Sequence, residues 1–285
     1  MNPIRSVGPA ALLLLAACGG PALVTDDRPA RDPYDGPMTV TMSGDEAAPV
    51  AQRAGAAALA LECEHDPLSG GGGSYDDGLA STQESPEKAL DNAFSESGFA
   101  ATLPASGYRV ERRTDDRVLF SYDVRGRTKI AFIVHSGVAD LGGDTGWGVE
   151  SWAQCDPSEL PSRATDDLDI GVWEDAAGRR VPTSTIESFD GAEHCDWQDV
   201  TFIRLGPDRT DPEFVRDPAL KLTDSLTGTF DPAGELPPTA DDTGLHRAGR
   251  ELWLAPDRDR AYLVSIDDRD DVEVWPSSTD RIGCA

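Results

Sequence analysis

Five cysteines, at positions 18, 63, 155, 195 and 284, constrain this chain more than any other feature, because of what stands in front of the first of them. Residues 1–17 carry one cation, Arg5, and an apolar run from Ala10 to Ala17 that ends at Cys18-Gly19-Gly20. That run falls far short of the ~20 residues a membrane-crossing helix needs. With a cation before it and small, polar chain after it, the segment 1–17 is expected to be a signal peptide removed on export. Exported chains fold where thiols oxidise, so the later cysteines become candidates for disulfides.

The end of the run, Leu15-Ala16-Ala17-Cys18, resembles the lipobox of bacterial lipoproteins at all four positions. The resemblance covers the export segment alone. It implies that Cys18 is the lipidation site and the first mature residue, acylated with chains of the palmitate type. It also implies a body held to the cell membrane on the extracytoplasmic face. Each buried CH₂ of such chains contributes about 0.8 kcal/mol, so a multiply acylated cysteine is a durable anchor. Assigning Cys18 to lipid leaves Cys63, Cys155, Cys195 and Cys284, an even number, and two disulfides are expected. Four cysteines allow three pairings, among which sequence does not choose. Cys63–Cys155 with Cys195–Cys284 is favoured because each pair closes one half of the chain and the second pins the C-terminus. Loops of about 90 residues would each contribute about 4 kcal/mol in the chain-entropy model. A zinc site built from these cysteines with His65 and His194 lacks the Cys-x-x-Cys spacing of such sites. No metal or cofactor is expected.

Charge narrows the partners. The chain has 52 Asp and Glu against 25 Lys and Arg, a net −27, and losing Arg5 with the signal segment leaves 24 cations against 52 anions, or −28. A field of that sign opposes phosphate backbones, so nucleic acid is excluded as a partner. Only Lys88, Lys129 and Lys221 are lysines, and arginine supplies the other 22 cations. With 39% hydrophobic residues over 285 positions, the chain can bury a core in one or two domains, and a monomer is expected.

Breakers divide the remainder. Residues 18–46, with Asp26, Asp27, Pro29, Asp32, Pro33 and Pro37, read as a flexible acidic tether. Residues 47–160 read as a helix plus antiparallel meander. The Ala-rich stretch 47–61 is compatible with a helix or with a strand entering Cys63, and the glycine run in 69–74 reads as a loop. A helix is expected from Ser85, a good N-cap, with Pro86 at N1, Glu87 at the positive end, Ala89, Leu90, Ala93 and Phe94 on one face, and Gly98 as the stop. Strand-like runs follow at 108–113, 117–124, 129–136 and 147–155. In 117–124, Val118, Phe120, Tyr122 and Val124 alternate with Leu119, Ser121 and Asp123, so one face reads as buried and the other as largely wet. The element order is loosely similar to cystatin-like and NTF2-like folds, a resemblance of order that carries no function. Residues 165–285 read as β-rich: 171–174 pairs with 181–189, 200–205 follows, 206–243 is mostly loop with a short strand near Phe214, and 251–255, 260–266 and 272–275 form a meander. The fold class is therefore α+β, mainly antiparallel, with one helix on a four-stranded meander followed by a β-rich half.

Catalytic patterns are weak. Ser85-Pro86-Glu87-Lys88 matches the Ser-x-x-Lys nucleophile pattern, but its Ser-Asp-Asn and Lys-Thr-Gly companions do not occur, and capping accounts for it. There is no Gly-x-Ser-x-Gly. His65, His135, His194 and His246 form no spaced metal pair; His194-Cys195-Asp196-Trp197 is the most suggestive group and reads best as a disulfide-anchored corner. The acidic runs 166–169 and 267–271 do not match a calcium loop and read as solvated turns. Six tryptophans fall mostly in strands, where packing explains them. The expected function is that of a non-catalytic envelope-surface protein that binds or scaffolds an envelope protein or glycan. The alternative is a secreted-side hydrolase acting on a small molecule or glycan between the two halves.

Overall fold

A computed structural model describes residues 22–72, 82–96, 98–139, 143–206, 212–280 and 282–283. The signal segment, Cys18 and Cys284 lie outside the described residues. The fold is sheet-rich and mostly antiparallel, with short helices, which places it loosely in the α+β class.

In chain order the first half contains β1 (Val24–Asp26), α1 (Val50–Arg53), α2 (Gly55–Leu59), β2 (Ser69–Gly72), α3 (Pro86–Glu96), β3 (Tyr108–Arg113), β4 (Arg117–Val124), β5 (Arg127–Ala139) and β6 (Thr145–Gln154), with α4 (Ser162–Asp167) after it. Its sheet has the order β1-β3-β4-β5-β6-β2. All neighbours are antiparallel except β1 and β3.

Helix α3 starts where its cap residue places it: the Ser85 hydroxyl accepts a hydrogen bond from the Lys88 N–H at 3.2 Å. Burial draws the Glu87 carboxyl upward, but Arg113 and the helix N-terminus outweigh it and hold it below the usual range. Pro86, Ala89, Leu90 and Phe94 are buried. Ala89, Leu90 and Phe94 meet Tyr108, Val110, Val118, Phe120, Ile130, Phe132 and Val134 in one core. Phe94 packs edge-on against Tyr108 at 5.5 Å.

The opposite sheet face is also covered, which corrects the expectation of a largely wet face. Leu119, Ala131, Ile133 and Ala153 are buried there under Ala54, Ala56, Ala57, Ala58 and Ala60. Ala131 and Ala153 stand opposite each other in register, a low spot that lets the alanines of α2 approach closely. The pattern of one strand does not reveal this layer, because Ser121 is buried as well, with its hydroxyl on Glu111.

Two further expectations change. Of the stretch 69–74, Ser69–Gly72 is an edge strand, β2, paired with β6, and residues 73 and 74 lie outside the described residues. A Cβ at Gly70 would lie 2.6 Å from the Trp152 carbonyl oxygen and 2.9 Å from the Ala54 Cβ. Glycine is there to let α1 and α2 sit on the sheet edge, not to loosen a loop. The segment assigned to a tether over 18–46 is folded from Leu23 onward. Leu23 and Met38 are buried, β1 joins the sheet, and the carbonyl of Leu23 accepts from the Tyr108 N–H. Asp and Pro suppressed the helix and strand signal, but side chains from β3 bind the irregular backbone. Buried Glu111 accepts the Tyr34 N–H at 2.7 Å, and Arg112 donates to the Gly36 carbonyl at 2.7 Å.

The second half contains β7 (Glu174–Asp175), β8 (Ile186–Asp190), β9 (Thr201–Leu205), β10 (Glu213–Arg216), β11 (Asp241–Arg247), β12 (Arg250–Leu254), β13 (Arg260–Ser265) and β14 (Val272–Pro276). A three-stranded sheet, β10-β9-β8, faces a five-stranded one, β14-β13-β12-β11-β7. Trp173, Ile186, Ile203 and Phe214 interdigitate with Leu252, Leu254, Ala261, Leu263 and Trp275 between them. Single bridges join the sheets at both edges, Phe214 with Ser277 and Gly171 with Ser188. The sandwich is therefore nearly closed, which leaves few bare strand edges.

Two substitutions test this packing by urea unfolding. Gly70→Val should cost about 1–3 kcal/mol, because a side chain there collides with backbone that cannot yield. Tyr108→Phe should leave stability unchanged or raise it by up to about 1 kcal/mol, because the buried Tyr108 hydroxyl has no hydrogen-bond partner to lose among the described residues.

Candidate functional site

Two clusters of chemistry-bearing residues stand out among the described residues. The first surrounds the disulfide Cys63–Cys155, whose Cα atoms are 5.3 Å apart. Strand β5 delivers Lys129 beneath it and the turn after β6 delivers Asp156 and Glu159. The Lys129 and Glu159 side chains are each 4% exposed and pair at 2.6 Å. Lys129 also donates to the Glu62 carbonyl at 2.7 Å, and Glu159 accepts the Glu64 N–H at 2.9 Å. Both residues flanking Cys63 are thereby held. The two sulfurs and a Glu159 oxygen lie within 4.8 Å of one another. The sulfurs are joined to each other and the carboxylate is occupied by Lys129, so this cluster is a structural node.

The second place is the outer face of the β8–β9–β10 sheet. Cross-strand register there builds two rows. Glu187 stands opposite Arg204 and Arg204 opposite Glu213, while Phe189 stands opposite Phe202 and Phe202 opposite Val215. Arg204 donates to Glu187 at 2.6 Å and to the Glu213 Oε2 at 2.7 Å. Its guanidinium also lies 4.7 Å from the Phe189 ring centre. The Phe189 and Phe202 rings stack at 5.2 Å.

The corner that carries His194 and Cys195 closes over these rows. A single 3₁₀ turn, Glu193–Cys195, ends at Asp196 in the left-handed conformation, and the chain folds back so that Trp197 lies 6.4 Å from Phe202. Gly191 admits that crossing, since a Cβ there would lie 2.4 Å from the Trp197 carbonyl oxygen. Cys195 is disulfide-bonded. Its expected pairing with Cys284 lies outside the described residues. The pocket so formed is about 310 Å³, within the lower range of ligand sites at ~300–1,000 Å³, and Ile282 and Gly283 complete its wall.

The histidines do not assemble a base–acid pair among the described residues. His194 is exposed at the pocket rim. His135 stands 3.8 Å from Asp116 and 3.9 Å from Glu150, beyond hydrogen-bond reach, and both carboxylates pair with Arg117 instead. His246 lines a groove of about 440 Å³ between the halves, where Ser162, Thr165, Asp166, Glu174 and Arg180 also lie, and its Nε2 meets the Asp175 carbonyl at 3.0 Å. Lys88 pairs with Glu84, away from Ser85, so the Ser-x-x-Lys is a cap and an ion pair. In the acidic turn 267–271, Asp271 binds Arg250 and the Asp268 carboxylate accepts the Asp270 N–H.

Trp197 lines this pocket; Trp173 is buried, with its indole N–H on Ser188 at 2.8 Å. Sequence reasoning reached His194, Cys195 and Trp197 but missed Arg204 and Glu213. The available signal was the spacing of two in Phe202/Arg204 and in Glu213/Val215, which puts charge and apolar surface on one strand face. Comparison with family models, with curated proteins and with solved structures finds no match.

The node beneath the disulfide makes a sharp prediction. Lys129→Met should lower the urea-unfolding free energy by about 3–5 kcal/mol, because Glu159 is left buried and uncompensated, and adding Glu159→Gln should restore most of the loss.

Proposed function

We propose that this chain is an extracytoplasmic lipoprotein, anchored to a membrane through acyl chains on Cys18, whose body binds or scaffolds a partner at the envelope surface and performs no catalysis. The reading is supported most by how soon the fold begins. Leu23 is buried and Val24 is already in the sheet, six residues after Cys18. At ~3.3–3.6 Å per extended residue, those six span about 20 Å at most, so the body sits close to the lipid. The disulfide Cys63–Cys155 suits an oxidising compartment. A pocket of moderate size with aromatic walls, with His246 on a backbone carbonyl and His135 standing off from its carboxylates, suits binding better than general acid–base chemistry.

Within this reading the helix-backed run β3–β6 and the C-terminal sandwich are two subdomains. They are locked together by the Asp156 carboxylate, which accepts the Thr183 N–H at 3.0 Å and the Thr183 hydroxyl at 2.9 Å.

Fractionation of cells tests the anchor. Wild-type protein should be found with membranes and Cys18→Ala should be released to the soluble fraction; a variant that stays with membranes sinks the lipoprotein reading. Cross-linking in intact cells should then capture a defined envelope partner of the wild-type body.

A further inference from the structure

We infer that the pocket on the outer face of the β8–β9–β10 sheet binds an alkylammonium group, with the Glu213 carboxylate receiving the ammonium and Trp197, Phe189 and Phe202 enclosing the aliphatic stem. This rests on the binding-protein reading and names the chemistry that the site takes.

Four observations support it. Glu213 is 5% exposed, and its Oε1 has no hydrogen-bond partner among the described residues, because both Arg204 contacts fall on Oε2, at 3.2 and 2.7 Å. A buried carboxylate oxygen without a donor is costly to keep, and it marks the position where a ligand's N–H belongs.

The local charge has the right sign. Glu187, Arg204 and Glu213 form a row with one net negative charge, and Asp190 on the pocket wall adds another. Among the described residues Arg204 is the only Lys or Arg lining the pocket, and its charge is already shared between two carboxylates.

The walls favour a cation. Phe189, stacked on Phe202 with Trp197 nearby, already holds the Arg204 guanidinium on its ring, so this aromatic wall accepts positive charge.

The lining also argues against a sugar. Among the described residues it contains no Ser, Thr, Asn, Gln or Tyr side chain to pair with a set of hydroxyls, and its volume of about 310 Å³ suits one short stem and its head group.

The ammonium group has two sources, a free amine or a lysine of a neighbouring protein. Both are tested on the intact, oxidised protein by following the indole N–H resonance of Trp197, assigned by its loss in Trp197→Phe. Titration with n-butylammonium at constant ionic strength should move it saturably, whereas n-butanol should not. Glu213→Gln, checked for a cooperative thermal transition, should weaken n-butylammonium binding at least about tenfold, the size expected for a charge-assisted hydrogen bond. Phe189→Leu, which leaves Glu213 and Arg204 in place, should weaken it as well and covers the case in which Glu213→Gln does not fold.

A lysine tripeptide that binds more tightly than n-butylammonium identifies a protein source, and equal binding identifies a free amine; both uphold the site. Equal responses to n-butylammonium and n-butanol, or undiminished binding by folded Glu213→Gln, would overturn it. The two readings fail separately. A partner captured in cells as well by Glu213→Gln as by wild type overturns the pocket and spares the binding function. Saturable amine binding without any captured partner does the reverse.

Discussion

Asp156 follows a disulfide cysteine directly, is 2% exposed, and fills both carboxylate oxygens with donors from its own turn and from the other half of the chain. Its position is set by Cys155, whose N–H is held by the Lys129 carbonyl and whose sulfur is tied to Cys63. Lys129 in turn reaches Glu159, three residues beyond Asp156. One short stretch of chain thus closes the disulfide loop, neutralises the buried lysine and seats the C-terminal sandwich. Loss of Lys129 leaves the Glu159 carboxylate uncompensated where both side chains are 4% exposed, which is why this node outweighs the many ion pairs on the surface.

The parts of this fold legible from sequence were those written locally. Ser85-Pro86-Glu87 begins a helix by cap chemistry alone, and 108–113 and 117–124 declare themselves by alternation and a short turn. What was illegible depended on layers meeting at a distance. The glycines of β2 look like a loop until Ala54 and the Trp152 backbone are known to press on them. Residues 23–38 look like a tether because their ordering comes from Glu111 and Arg112, about 75 residues away in sequence. Strand β11, Asp-Asp-Thr-Gly-Leu-His-Arg, hides behind a register shift near Gly244, which adopts a positive φ of 69° and breaks the alternation.

The pocket was half legible for the same reason. A histidine, a cysteine and a tryptophan within four residues drew notice, whereas Glu213 was one acid among 52. What distinguishes it is the partner missing from one oxygen, a property of packing that composition does not carry. The aromatic rows and the Glu187–Arg204–Glu213 row arise from antiparallel register, which sets residues from three separate strands side by side.

The scarcity of lysine and the burial of tyrosine acquire a meaning together. Burial raises Tyr34, Tyr108, Tyr122 and Tyr262 above the ordinary phenol range, although Arg112 tempers Tyr34 and Arg260 tempers Tyr262. Arginine, which keeps its proton throughout, supplies nearly all the positive charge. Up to the ordinary phenol range these four tyrosines stay neutral and the arginines stay charged, so neither group alters the excess of negative charge. Repulsion between such a body and any anionic surface is then set by salt and by distance.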